Sequence, residues 1–322
     1  MSYLQQLYKE PKSELWTGRI DSLEDEAQFR VHQVVKTASL NSFSQQNKKV
    51  VLGFVCDIGV KRNGGRAGAA LGANYLRSSI GSMCWHGSEE GFFDVGNIKP
   101  EQTKLEEGQE ALGEAIYSLL QTSNTPIVIG GGHETAFGHY LGISKHLQNH
   151  HKGAKLGILN IDAHFDLRPY GVRTHSGSPF LQALDHAKAQ DMPLEYFVYG
   201  INRDNNTDAL FKTAQDYKVG HVTNREIKHS LKDSLEPIKQ FIQEQDFIYL
   251  TICLDVFDAS IAPGVSAPAW DGISLLPALE VIDLVKNSGK LLSADICELN
   301  PLFDEQLRTV RTAGTLFGEL IR

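Results

Sequence analysis

The sequence predicts an α/β fold with a mostly parallel sheet and helices on both of its faces. Two observations lead there. Apolar runs with the character of buried strands alternate with segments of helical periodicity through most of the 322 residues, and that alternation marks parallel sheets covered on both sides. In addition, three chemistry-bearing segments follow directly on such runs, at the strand ends where open sheets of this class bind ligands.

In chain order, the run at 50–55 (VVLGFV) reads as the first buried strand, followed by a helix over 67–79 beyond a glycine-rich loop. A helical period over 105–121 leads to the strand 126–129 (PIVI), and a second over 135–147 to the strand 156–161 (LGILNI). The helix 179–188 precedes the strand 196–201 (YFVYGI), and the helix 208–217 precedes a short strand over 220–222. A helix over 231–245 precedes the long apolar run 247–254 (FIYLTICL). A helix over 277–286, a strand over 290–296 and a last helix over 305–320 close the pattern. Residues 46–322 are read as a single domain, since no linker, repeat or low-complexity tract interrupts them. The first 45 residues, rich in charge and in Ser and Gln, are read as an N-terminal arm, loosely attached or held in an oligomer contact.

Charge narrows the partners. A net charge of −8, with no clustering of Lys and Arg, argues against a nucleic-acid surface and for a small-molecule substrate. No apolar run reaches the ~18–20 residues of a membrane span, and the polar start MSYLQQLYKEPKSE lacks a signal-peptide pattern, so no membrane association and a cytoplasmic location are expected. Cys56, Cys84, Cys253 and Cys297 are scattered without a CxxC pair, which indicates neither a disulfide framework nor a cysteine-only zinc site.

The three strand-end segments are Gly130-Gly131-Gly132-His133-Glu134, then Asp162-Ala163-His164-Phe165-Asp166, then Asp255 after Thr251-Ile252-Cys253-Leu254. Period-two spacing points Asp162, His164 and Asp166 the same way. Hard divalent ions want carboxylate oxygens and tolerate imidazole beside them, and a carboxylate can bridge two ions. With His133 and Asp255 completing the set, hydrolysis by a metal-bridging hydroxide is the expected chemistry. Helix caps and turn hydrogen bonds account for one such segment, but not for three together.

These segments resemble the ureohydrolase superfamily, which contains arginase, agmatinase and formimidoylglutamase, and the resemblance runs from about residue 50 to residue 300. It implies an arginase-like, three-layer α/β/α domain with a mostly parallel central sheet, two Mn2+ ions, a multimeric assembly and cleavage of a C–N bond in a linear amidine. His133 matches the family's first metal histidine, and Asp162, His164 and Asp166 match its DAHxD. Asp255 matches the second aspartate of the usual DxD, and Glu298 in DICELNP matches the glutamate that faces the amidine. Asp166 would bind an ion and also carry a proton to the leaving amine. Residues 57–66 (DIGVKRNGGR) and 262–268 (APGVSAP) are most similar to formimidoylglutamase, and Ser176 stands where arginases and agmatinases usually carry histidine. The implied reaction is hydrolysis of N-formimidoyl-L-glutamate to L-glutamate and formamide, a step of histidine degradation. A guanidine hydrolase of the agmatinase or arginase type is the alternative, and a metal-poor relative without catalysis is another.

That last alternative rests on Cys253, which occupies the place of the first aspartate of DxD, a ligand to both ions in the resemblance. A soft thiolate there would weaken hard Mn2+ and favour zinc or iron. For the two carboxylates of the implied substrate, Arg168 is the first candidate, followed by Arg203 and Arg66, with Asn205 or Asn206 and Asn63 as polar contacts.

Overall fold

The computed structural model describes residues 2–88, 90–101 and 104–322. Among them, ten strands form one sheet: β1 (Tyr8–Lys9), β2 (Val35–Thr37), β3 (Lys49–Phe54), β4 (Phe92–Ile98), β5 (Thr125–Ile129), β6 (Leu156–Ile161), β7 (Leu194–Ile201), β8 (Gly220–Thr223), β9 (Phe247–Cys253) and β10 (Leu291–Cys297). Their order is β1-β4-β3-β5-β10-β9-β6-β7-β8, with β2 also paired to β4. Every pairing is parallel except that of the two-residue β1.

Successive strand residues feed two cores, because side chains alternate across a sheet. Leu159 and Ile161 of β6 join one cluster with Ala278, Val281 and Ile282 of the helix Leu275–Asn287 and with Val310 and Phe317 of the helix Arg308–Ile321. Leu156 and Ile158 join the other, with Tyr140 and Ile143 of the helix Thr135–His150 and Phe180 of the helix Pro179–Ala189. The result is a three-layer α/β/α architecture. Among the described residues, no helix is long and apolar enough to cross a membrane.

The topology also positions the site. β5, β10, β9 and β6 are neighbours, and their register sets Ile129 beside Ile296, Ile296 beside Ile252, and Ile252 beside Ile161. Four parallel strands therefore end level. The helices after β5 and β6 lie on one face and those after β9 and β10 on the other, so the loops between part into a crevice.

The first 45 residues are bound into this fold rather than loosely attached. Leu7, Tyr8 and Leu40 are buried in one core, Trp16, Val31 and Val34 in the other, and β1 and β2 pair with β4. Trp16 packs edge-on against Phe92 at 5.6 Å, and its indole N–H donates to Asp94 at 2.8 Å. The helix expected over 67–79 begins at Gly72, after a 3-10 turn over Ala69–Leu71.

Candidate metal centre

Each strand end contributes in a defined way. After β5 the chain crosses close under β3: a Cβ on Gly131 would lie 1.7 Å from the Cys56 carbonyl oxygen, and the Gly132 N–H donates to that oxygen at 2.9 Å. Only glycine permits that approach, and it delivers His133 to the floor of the crevice. Asp162 is fully buried and turns one oxygen to each histidine. Its Oδ2 lies 3.0 Å from His133 Nδ1, and its Oδ1 lies 3.4 Å from His164 Nδ1. Asn160 donates to Oδ2 at 3.0 Å and the His164 backbone N–H to Oδ1 at 2.8 Å, fixing the carboxylate in this bridging pose. Asp166 Oδ2 is 3.0 Å from His133 Nδ1, and Asp255 Oδ2 is 3.3 Å from His164 Nδ1. Cys253 ends β9 with its sulfur grouped with His133 and Asp162, while Asp162, His164 and Asp255 form a second group; the donor atoms within each group lie within 4.8 Å of one another.

The residues behind the floor decide which nitrogen of His133 faces the carboxylates. Thr251 donates its hydroxyl to Asp295 at 2.6 Å and is therefore left to accept from His133 Nε2 at 3.0 Å. The neutral ring then carries its lone pair on Nδ1, aimed at oxygens of both Asp162 and Asp166. Although 3.0 Å from each, Nδ1 makes no well-aligned hydrogen bond. Asp255 Oδ1 and Glu298 Oε2 are likewise buried without a partner among the described residues. Electron-rich atoms roughly 3 Å apart and converging on common points are the spacing of adjacent ligands around a divalent ion. The set fits such ions, with one reservation of chemistry: five donors offer oxygen or nitrogen and the sixth, Cys253, offers sulfur.

Electrostatics agree with that fit. Burial and the neighbouring Asp162 charge push the Asp166 carboxyl up to about 6. Burial, with Asp255 and Glu134 adding repulsion, holds Glu298 well above the usual range. Burial opposes charge on both histidines, yet the carboxylates outweigh it: Asp162 and Asp166 raise His133 strongly, and Asp255 and Asp162 raise His164. Without a cation, this cluster recruits protons to balance its carboxylates.

Glu298 follows β10. Its Oε1 accepts the His133 N–H at 3.0 Å, while its own N–H donates to the Gly131 carbonyl at 2.7 Å. Together with His133, His164, Asp166, Cys253 and Asp255 it lines a cavity of about 310 Å3. Asn63, Arg66, Arg168 and Ser176 line the same cavity, and Asn63 donates to the Ser176 hydroxyl at 3.3 Å. Arg203 and Asn205 are not brought there. They form a 3-10 turn after β7, which the Asn202 side chain caps, and Arg203 is exposed over the Phe211 ring at 5.9 Å. Asn206 is buried and supports the Asp162–Asp166 loop, accepting from the Phe165 N–H and donating to the Ala163 carbonyl. Sequence reasoning did not single out Asn160, Thr251 or Asp295. Period-two spacing was a usable signal for Thr251, which lies two residues before Cys253 on the same face of β9.

The family profile described as Arginase family matches residues 47–322. The chain belongs to the arginase family. Among its relatives, a formimidoylglutamase from Nocardia farcinica is 43% identical over 306 residues, covering 95% of each chain. One from Geobacillus thermodenitrificans is 40% identical over 319 residues, covering 98% of this chain and 97% of the relative. Among solved structures, formimidoylglutamase from Bacillus subtilis superposes with a TM-score of 0.80 over 94% of this chain and 93% of that one, at 20% identity, a likeness of fold. A variant of Trypanosoma cruzi formiminoglutamase with Mn2+ gives a TM-score of 0.77 at 25% identity, over 91% of this arginase-family chain and 97% of the other.

Proposed function

We propose that this chain hydrolyses N-formimidoyl-L-glutamate to L-glutamate and formamide. The observation that carries the reading is the pairing of floor and rim in one cavity. The floor holds the ligand cluster and the unpartnered Glu298 Oε2; the rim holds Arg168 and Arg66. Arg168 has no carboxylate partner among the described residues. Arg66 donates to the Ser266 and Val265 carbonyls and stacks 4.1 Å over Phe303, and it too has no carboxylate partner among the described residues. Glu298 below, whose carboxyl cations on the floor and a bound amidinium would hold ionised, and two guanidinium groups above suit a molecule with an amidinium at one end and carboxylates at the other. They suit arginine or agmatine less, whose far ends carry an amine.

His133, Asp162, His164, Asp166, Cys253 and Asp255 would hold two divalent ions, with manganese the expectation from metal-bearing relatives. When bound, such ions acidify water at neutral pH. Glu298 accepts hydrogen bonds from the amidinium and orients its carbon toward the floor. Arg168 and Arg66 bind the glutamate carboxylates, fixing the bond to be cut. Water oxygen adds to the formimidoyl carbon, the bond from that carbon to the glutamate nitrogen breaks, and the nitrogen takes a proton. Asp166, which lines the cavity, would hand it over.

The test is formamide release by the purified protein with and without added Mn2+, on formimidoylglutamate, arginine and agmatine. Metal-dependent release from the first alone is expected. Urea from either guanidine, or no turnover on any of them, overturns the assignment.

A further inference from the structure

We infer that Cys253 is a thiolate ligand to the ion on the His133 side, and that the two ions of this centre are therefore unlike: a borderline-soft divalent metal such as Zn2+, Co2+ or Fe2+ beside His133, and a hard one such as Mn2+ beside His164. This deepens the reading of the crevice as a two-ion centre and does not depend on which substrate it takes.

The geometry makes the two halves unequal. The sulfur falls in the group with His133 and Asp162, whereas the other group, Asp162, His164 and Asp255, offers only nitrogen and oxygen. Asp162 alone turns an oxygen to each histidine. Soft sulfur donors select zinc, cobalt or ferrous iron over manganese, while an oxygen-rich set with one imidazole discriminates far less. An inert buried thiol would be the ordinary fate of an unpaired cysteine, and two facts stand against it here. Cys253 is 2% exposed and free of any disulfide, yet the carboxyl groups of Asp162, Asp255, Glu298 and Asp166 all lie close enough to act on it. Three neighbouring donor atoms, His133 Nδ1, Asp255 Oδ1 and Glu298 Oε2, are buried without hydrogen-bond partners among the described residues, so the pocket the sulfur faces is built for a ligand. On binding, the S–H bond breaks, the sulfur lone pair forms the metal–sulfur bond and the proton leaves to solvent; no electron transfer is involved.

The experiment needs no substrate. Metal-depleted protein is loaded with Co2+, bound metal is counted by elemental analysis, and the near-ultraviolet spectrum is recorded. The wild-type protein is expected to show thiolate-to-cobalt charge transfer that both Cys253→Ser and Cys253→Asp lack. In competition with equal Zn2+ and Mn2+, the wild-type protein should retain both metals. Cys253→Asp should shift the retained Zn-to-Mn ratio toward manganese by about tenfold or more. Absence of the band with cobalt bound, failure to bind cobalt, or the same metal ratio in the wild-type protein and a folded Cys253→Asp overturns the inference. The wild-type spectrum decides alone if a variant does not fold. A charge-transfer band without formimidoylglutamate turnover would sink the substrate assignment and leave the ligand assignment standing.

Discussion

Asp166 and Glu298 share a feature that strand-end carboxylates ordinarily lack: both hold left-handed backbone, at φ 50° and 71°. Such a conformation costs a non-glycine residue about 1–2 kcal/mol. It persists at Glu298 because hydrogen bonds to Gly131 and from His133 hold both backbone and side chain. The residue is thus held in a pose that is unfavourable for its backbone and for its charge, and removing the charge separates stability from function. Glu298→Gln should lower kcat/KM by about a hundredfold or more, while the metal-free protein melts higher, since a neutral amide escapes the cost of burying a charge and no longer repels Asp255 and Glu134. The sign with pH follows from the raised folded-state pKa. The gain should be absent below about pH 4, where the carboxyl is protonated folded or unfolded, and should grow as pH rises. A variant that loses both activity and stability would mark Glu298 as structural.

At the scale of elements, the site depends on four neighbouring strands ending level, and most of this was readable beforehand. β5, β6 and β9 are largely apolar runs with ligands placed at or just beyond their ends, and the period-two spacing of Asp162, His164 and Asp166 pointed to one site although β6 stops at Ile161 and the loop after it carries all three. β4 was not readable. Its sequence FFDVGNI places Asp94, Gly96 and Asn97 where a strand pattern wants apolar residues, and it is buried because Arg77 reaches in from the helix Gly72–Ile80. Arg77 grips Asp94 with two hydrogen bonds of 2.8 Å and Asn97 with a third, and both charged residues are 1% exposed. β1 and β2, two and three residues long, are too short to show any period, so the first 45 residues read as an arm, loosely attached or held in an oligomer contact. Arg203 was a candidate because a guanidinium can fork onto a substrate carboxylate, but sequence does not tell which way a 3-10 turn faces. The Arg77 clamp carries a prediction. Arg77→Ala leaves Asp94 buried and unpaired, so it should destabilise the protein by about 3–5 kcal/mol, read as a lower urea midpoint. A change below ~1 kcal/mol would show that Trp16 and water suffice to solvate Asp94.

For the molecule as a whole, the decisive quantity is the charge it buries. Asp162, Asp255 and Glu298 are buried and Asp166 partly so, in a protein already carrying −8, and these carboxylates converge on a few atoms of imidazole and sulfur. Two cations can balance that charge, or, in their absence, protons on His133 and His164. The two solutions respond differently to pH. Both histidines have folded-state pKa values raised well above 6.5 by the aspartates that oppose their burial. Their protonation therefore stabilises the metal-free protein fully below about pH 6.5, and that contribution is lost as pH rises through the raised values. Bound divalent ions instead stabilise by about 4 kcal/mol at a thousandfold excess over Kd, and their affinity strengthens as the ligands lose protons. Chelation should thus lower Tm modestly near pH 6 and by several degrees more near pH 9, with restoration on adding back divalent metal. Parallel melting profiles for chelated and metal-loaded protein across that range would mean that His133 and His164 do not exchange a proton for an ion, and would overturn their assignment as ligands.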